Sequence, residues 1–137
     1  MIKKIQCVML VDDNKIDNFF HERIIKKHDA TIKVLPMPFA EEALEYLKAT
    51  DDRQQPELIF LDINMPGMNG WEFLAEYHKL PSENQQSMIV VMLTTSENPD
   101  DRAKALTHGI LSDFRSKPLT KEMFEEVIEI YSKSQNQ

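Results

Sequence analysis

The run Leu58-Ile59-Phe60-Leu61, together with the dozen or so residues after it, constrains this chain more than any other feature. An unbroken apolar run of strand length reads as a strand buried on both faces, as in the interior of a parallel sheet. Asp62 ends the run, and Asn64, Pro66, Gly67 and Gly70 come after it, a composition that no strand continues through. Asp62 therefore falls at the carboxyl end of a central strand, where open α/β sheets bind their ligands. A carboxylate there is either a helix cap or part of a reactive site. The next helix start, near Asn69, is too distant for Asp62 to cap, which favours chemistry.

Strand and helix signals alternate along the rest of the chain. Cys7 to Val11 is a first strand, ended by Asp12-Asp13-Asn14. Ile16, Phe19, Phe20 and Ile24 recur at helical spacing, so an amphipathic helix runs from Lys15 to about Lys27 with those residues packed inward. Ile32 to Leu35 is a short strand stopped by Pro36 and Pro38. Ala40, Ala43, Leu44 and Leu47 line a second helix. Asn69 and Glu72 form a capping pair for a third, which carries Trp71, Phe73, Leu74 and Tyr77.

Met88 to Leu93 is another continuous apolar strand, ending in Thr94-Thr95-Ser96. Asn98-Pro99-Asp100-Asp101 opens a fourth helix that stops at Gly109. A weak strand around Asp113 to Ser116 leads into Lys117-Pro118, and Thr120 caps a last helix with Met123, Val127, Ile130 and Tyr131 on one face. Such βα units predict a parallel sheet covered by helices on both sides. Asp12, Asp13, Asp62 and Thr94 then converge at one edge.

Length and charge narrow the function classes. At 137 residues the chain is one domain, and no apolar run approaches the ~18 residues of a membrane span. The start shows no export leader, and the lone Cys7 sits in a strand as a buried small hydrophobe, so the expected location is the cytoplasm. A net charge of −7 without basic runs argues against direct nucleic-acid binding. The histidines His21, His28, His78 and His108 lack metal-ligand spacing and are expected to face solvent. Met65 and Met68 are expected at the rim of the acidic site.

Three carboxylates brought together repel one another and call for a counter-ion. All-oxygen ligands imply a hard cation, Mg²⁺ first. A lysine and a hydroxyl beside the carboxylates suit a phosphoryl group, whose oxygens they neutralise during in-line transfer. The middle carboxylate would then be the nucleophile that forms an acyl phosphate.

With these residues in place, the chain resembles the receiver domain of two-component response regulators, the family of the chemotaxis response regulator. The resemblance rests on Asp12-Asp13, on Asp62 with Pro66 and Gly70, on Thr94 and on Lys117-Pro118, each after the expected strand. It implies a five-stranded (βα)5 flavodoxin-like sheet of strand order 2-1-3-4-5. The receiver is expected over 1–131, with a frayed tail over 132–137 and no output domain. It implies Asp62 as phosphoacceptor, and Asp12, Asp13, Asp62 and the backbone carbonyl of Asn64 as Mg²⁺ ligands. Thr94 is implied as the switching hydroxyl, Lys117 as the partner of the phosphoryl group, and Phe114 as the aromatic switch. The sequence departs from the family pattern by one extra residue between Gly109 and Phe114, and by Arg115 and Ser116 in a normally apolar strand. Phe114 therefore stands open between a switch and a packing residue.

The implied function is a signalling module rather than an enzyme acting on an external metabolite. It would be phosphorylated by a histidine kinase or a histidine phosphotransfer protein, and would act through a downstream protein, as a phosphate relay, or as a homodimer through the face of the fourth helix, fifth strand and fifth helix. Two other readings stay in view. Asp62-Ile63-Asn64 loosely matches the Asp-x-Asp motif of haloacid-dehalogenase-like phosphohydrolases, but those place it on the first strand. A receiver-like interaction module that signals without phosphorylation is the other.

Overall fold

The structure is a computed structural model, in which residues 4–49, 53–85, 87–93, 113–116 and 118–135 are described, 91–93, 113–116 and 134–135 by their backbone. The elements in chain order are β1 (Cys7–Val11), α1 (Lys15–His28), β2 (Lys33–Met37), α2 (Ala40–Lys48), β3 (Leu58–Asp62), α3 (Gly70–Tyr77), β4 (Met88–Leu93), β5 (Asp113–Ser116) and a C-terminal helix (Lys121–Gln135). A short 3₁₀ turn over Ser82–Asn84 interrupts the polar loop before β4. The strands form one sheet in the order β2-β1-β3-β4-β5, and every neighbouring pair is parallel. This is the doubly wound parallel sheet that the sequence pattern predicts, in the strand order that the resemblance implies.

Alternation along the strands sorts side chains into two cores. Met9, Val11, Ile59, Leu61 and Ile89 face α2 and α3, which add Ala40, Ala43, Leu44, Leu47, Trp71, Phe73, Leu74 and Tyr77. Val8, Leu10, Leu58, Phe60 and Val90 face the opposite side, against Ile25 of α1 and Leu119, Phe124, Val127 and Tyr131 of the C-terminal segment. Residues on β1 and β3 are buried throughout, which is why both strands read as continuous apolar runs. Each large side chain removed from water contributes about 1.5–3 kcal/mol.

The helix starts agree with the sequence. Asn69 accepts the Glu72 N–H at 2.9 Å while Glu72 accepts the Asn69 N–H at 3.1 Å, a complete capping box. Asn14 accepts the N–H groups of Ile16 and Asp17 to open α1, and the Thr120 hydroxyl accepts the Met123 N–H at 3.1 Å. Cys7 is buried as expected; burial and the Glu57 carboxylate nearby push its thiol up to about 11.

Several expectations about packing and strand extent need correction. α1 does not pack with Ile16, Phe19 and Phe20, which are 68, 56 and 55% exposed; its buried side chains are Asn18, His21 and Ile25. His21 is consequently inside, not in solvent, whereas His28 and His78 are exposed as expected. β2 runs through Pro36 to Met37. Lys33 donates its N–H to Gln6 and Met37 accepts the Asp12 N–H, so the odd-numbered residues of β2 bond to β1 and the nitrogen of Pro36 lies on the outer edge, where no donor is needed. The C-terminal helix runs to Gln135.

The expected fourth helix, with Thr94, Lys117 and the side chain of Phe114, lies outside the described residues, and so does much of the expected dimer face. None of the described helices is long and apolar enough to cross a membrane.

Candidate acidic site at the carboxyl edge of the sheet

β1 and β3 are parallel neighbours with Val11 opposite Leu61, so Asp12 and Asp62 emerge side by side at the same edge. Both are nearly out of solvent, at 4 and 3% exposure, while Asp13 beside them is exposed. Carboxylate oxygens of Asp12, Asp13 and Asp62 all lie within 4.8 Å of one another. The three acids that the sequence singles out are therefore together.

Asp12 is gripped from two sides. Its N–H donates to Met37 O of β2 at 3.1 Å, its carbonyl accepts the Asn18 amide of α1 at 2.8 Å, and its Oδ1 accepts the Asn14 N–H at 2.9 Å. One bond of Asn14 thus orients the acid, and its side chain starts the helix.

Asp62 is set by the turn after it. Its Oδ1 accepts the Asn64 N–H at 3.3 Å, which bends the chain away from the sheet. Gly67 completes the turn at φ +73°, a left-handed conformation open to glycine. Gly70 then returns α3 against the strand end: its N–H donates to Ile63 O at 3.0 Å, and a Cβ there would meet the Asp62 carbonyl oxygen at 2.7 Å. α3 can start this close to Asp62 only on a residue without a side chain.

Asn64 lies beside the acids with its side chain exposed. β4 ends at Leu93 and β5 at Ser116, at this same edge; Thr94 and Lys117, next in sequence, lie outside the described residues. Met65 is buried in the α2–α3 core rather than at the rim, and Met68 packs against that core. Apolar periodicity missed Asn18, because a polar residue counts against an inward position. Its place at the same helical phase as Ile25 was the available signal.

Two nearly buried carboxylates with a third alongside repel one another when ionised. A donor set made of hard oxygens fits a divalent cation of the Mg²⁺, Mn²⁺ or Ca²⁺ type and not a soft metal. The residues present thus fit such an ion.

Known proteins share both sequence and shape with this chain. The response regulator receiver domain family matches residues 8–129. The two-component response regulator ARR17 of Arabidopsis thaliana is 36% identical over 120 residues, 82% of this chain and 75% of ARR17. Response regulator Rcp1 of Synechocystis is 34% identical over 101 residues, 69% of this chain and 65% of Rcp1. Its Mn²⁺-bound form superposes with a TM-score of 0.73 at 25% identity, covering 93% of this chain and 92% of that one. A two-component response regulator from Cytophaga hutchinsonii superposes with a TM-score of 0.83 at 29% identity, over 98% of this chain and all of the other. Relatives can be much longer: the chain spans only 10% of hybrid signal transduction histidine kinase C of Dictyostelium discoideum, at 29% identity.

Proposed function

This chain belongs to the response regulator receiver domain family of two-component signalling, and from that premise we propose that Asp62 accepts a phosphoryl group. The observation that carries the proposal is the gathering of Asp12, Asp13 and Asp62 within 4.8 Å at the carboxyl edge of the sheet. Asp62 closes the middle strand of that edge, and its carboxylate is fixed by the Asn64 N–H.

A carboxylate oxygen of Asp62 attacks the phosphorus of the donor, a phosphohistidine of a histidine kinase or phosphotransfer protein. The new O–P bond forms as the P–N bond of the donor breaks, and the imidazole leaves with the electron pair and takes up a proton. Asp12 and Asp13, with Asp62 and the Asn64 carbonyl, would hold Mg²⁺, which when bound supplies positive charge to the phosphoryl oxygens. The Mn²⁺-bound form of the related Rcp1 supports a divalent ion in such a site. Asn18 and Asn14 keep Asp12 in place, and Gly70 lets α3 close against Asp62. Thr94 and Lys117 are the proposed hydroxyl and cationic partners of the phosphoryl group, and Phe114 the proposed switch. The product is a signalling state in the cytoplasm, read by a downstream protein.

Intact mass after incubation with Mg²⁺ and acetyl phosphate tests this. A gain of one phosphoryl group that disappears in Asp62→Asn and on chelation is the expected result. No adduct under these conditions would sink the proposal and leave a receiver-like module that signals by binding alone.

A further inference from the structure

The inward face of α1 holds two separate stretches of backbone, at Asp12 and at Leu119, through polar side chains. Asn18, His21 and Ile25 are its buried residues, and Ile25 alone is apolar. The amide of Asn18 donates to the backbone carbonyl of Asp12 at 2.8 Å. One turn on, Nε2 of His21 accepts the backbone N–H of Leu119 at 3.3 Å, joining residues 98 apart in sequence. Leu119 is the second residue after Lys117, in the connection from β5 to the C-terminal helix.

That N–H precedes the C-terminal helix and needs an acceptor from elsewhere. An imidazole supplies one only when neutral, with its proton on Nδ1 and the Nε2 lone pair turned to the donor. His21, Pro118 and Leu119 also border a cavity of about 420 Å³, so packing does not fill that side of the connection and the hydrogen bond limits its movement. The Leu119 side chain is anchored in the core and Thr120 is engaged in the helix cap.

We propose that His21 is a positioning residue for phosphoryl acceptance: by holding Leu119 it fixes the connection that carries Lys117. This rests on the reading of Asp62 above. The division of work along α1 has a consequence. Asn18 serves the cation-binding end, and His21 serves the end that meets the phosphoryl group.

The test compares His21→Leu, which removes the acceptor, with His21→Gln, whose amide oxygen can replace it. Three quantities are read in each: protection of the Leu119 amide from hydrogen exchange, the rate of phosphoryl uptake from acetyl phosphate, and Mg²⁺ affinity of the unphosphorylated protein. In His21→Leu we expect loss of Leu119 protection and a rate lower by about tenfold, less than the roughly 10²-fold that a 1 Å misplacement of a reacting group can cost. Mg²⁺ affinity should stay within about twofold, because Asn18 still holds Asp12. His21→Gln should recover the rate to the extent that it recovers protection. Should His21→Leu fail to fold, the relation between protection and rate in His21→Gln and wild type decides. A folded variant with an unprotected Leu119 amide and a wild-type rate overturns the inference, as does one with full protection and a slow rate. Absence of uptake in the wild type removes the Asp62 reading and this one with it, whereas wild-type uptake with an indifferent His21→Leu removes this one alone.

Discussion

Both faces of this sheet carry an apolar core, but α1 contributes to its layer differently from α2 and α3. On one side α2 and α3 present alanines, leucines and aromatic rings to Met9, Val11, Ile59, Leu61 and Ile89. On the other, α1 turns Asn18 and His21 inward and leaves Ile16, Phe19 and Phe20 in solvent. Among the described residues, the buried polar side chains are Asp12, Asn18, His21 and Asp62, two in the acidic site and two on α1. The difference separates two tasks. The α2–α3 layer excludes water and holds the sheet, while α1 uses two of its inner positions to hold backbone at Asp12 and Leu119 and leaves Ile16, Phe19 and Phe20 outside.

Substitutions can break or sharpen that contrast. The largest effect is expected at Phe73, fully buried and stacked on Tyr77 with ring centroids 6.1 Å apart. Phe73→Ala should cost about 3–5 kcal/mol in urea unfolding; a cost below about 1 kcal/mol would show that the α2–α3 layer is not the stabilising one. Gly70→Ala comes next, because the new Cβ would sit 2.7 Å from the Asp62 carbonyl oxygen. It should cost about 1–3 kcal/mol and weaken Mg²⁺ binding in an apo-protein titration, tying the packing of that layer to the site.

A smaller change is expected from Asn69→Ala, which removes one half of the α3 capping box. Thermal unfolding should report a loss of about 1 kcal/mol with the unfolding cooperativity unchanged. The smallest effect belongs to the exposed rings on α1. Phe19→Ser and Phe20→Ser should each leave stability within about 0.5 kcal/mol of wild type. A loss several times larger in either variant would mean that these rings support the fold after all.

Much of this organisation was legible in the sequence, and the failures share a cause. The apolar runs of β1, β3 and β4 pointed to the sheet, because a strand buried on both faces admits no other pattern, and the acids that end the runs of β1 and β3 pointed to the cluster of Asp12, Asp13 and Asp62. Asn69 and Glu72 announced α3 because a capping box is local. α1 misled because periodicity reports that a helix has two faces without saying which one is covered. Ile16, Phe19 and Phe20 of its apolar stripe point outward while Ile24 packs against the core, and its polar side faces backbone groups at Asp12 and Leu119 that only the assembled fold brings near. Pro36 misled in a similar way: whether a proline stops a strand depends on whether its nitrogen faces a neighbour.

That proline has one more consequence. A parallel sheet ends in exposed strands, and each row of outward amides is a template on which a second chain could add itself. At β2 the template is defective, since Pro36 offers no hydrogen at an outward position and the exposed, charged Lys33 begins the strand. The residue that seemed to deny the chain a strand instead guards it against aggregation along that margin.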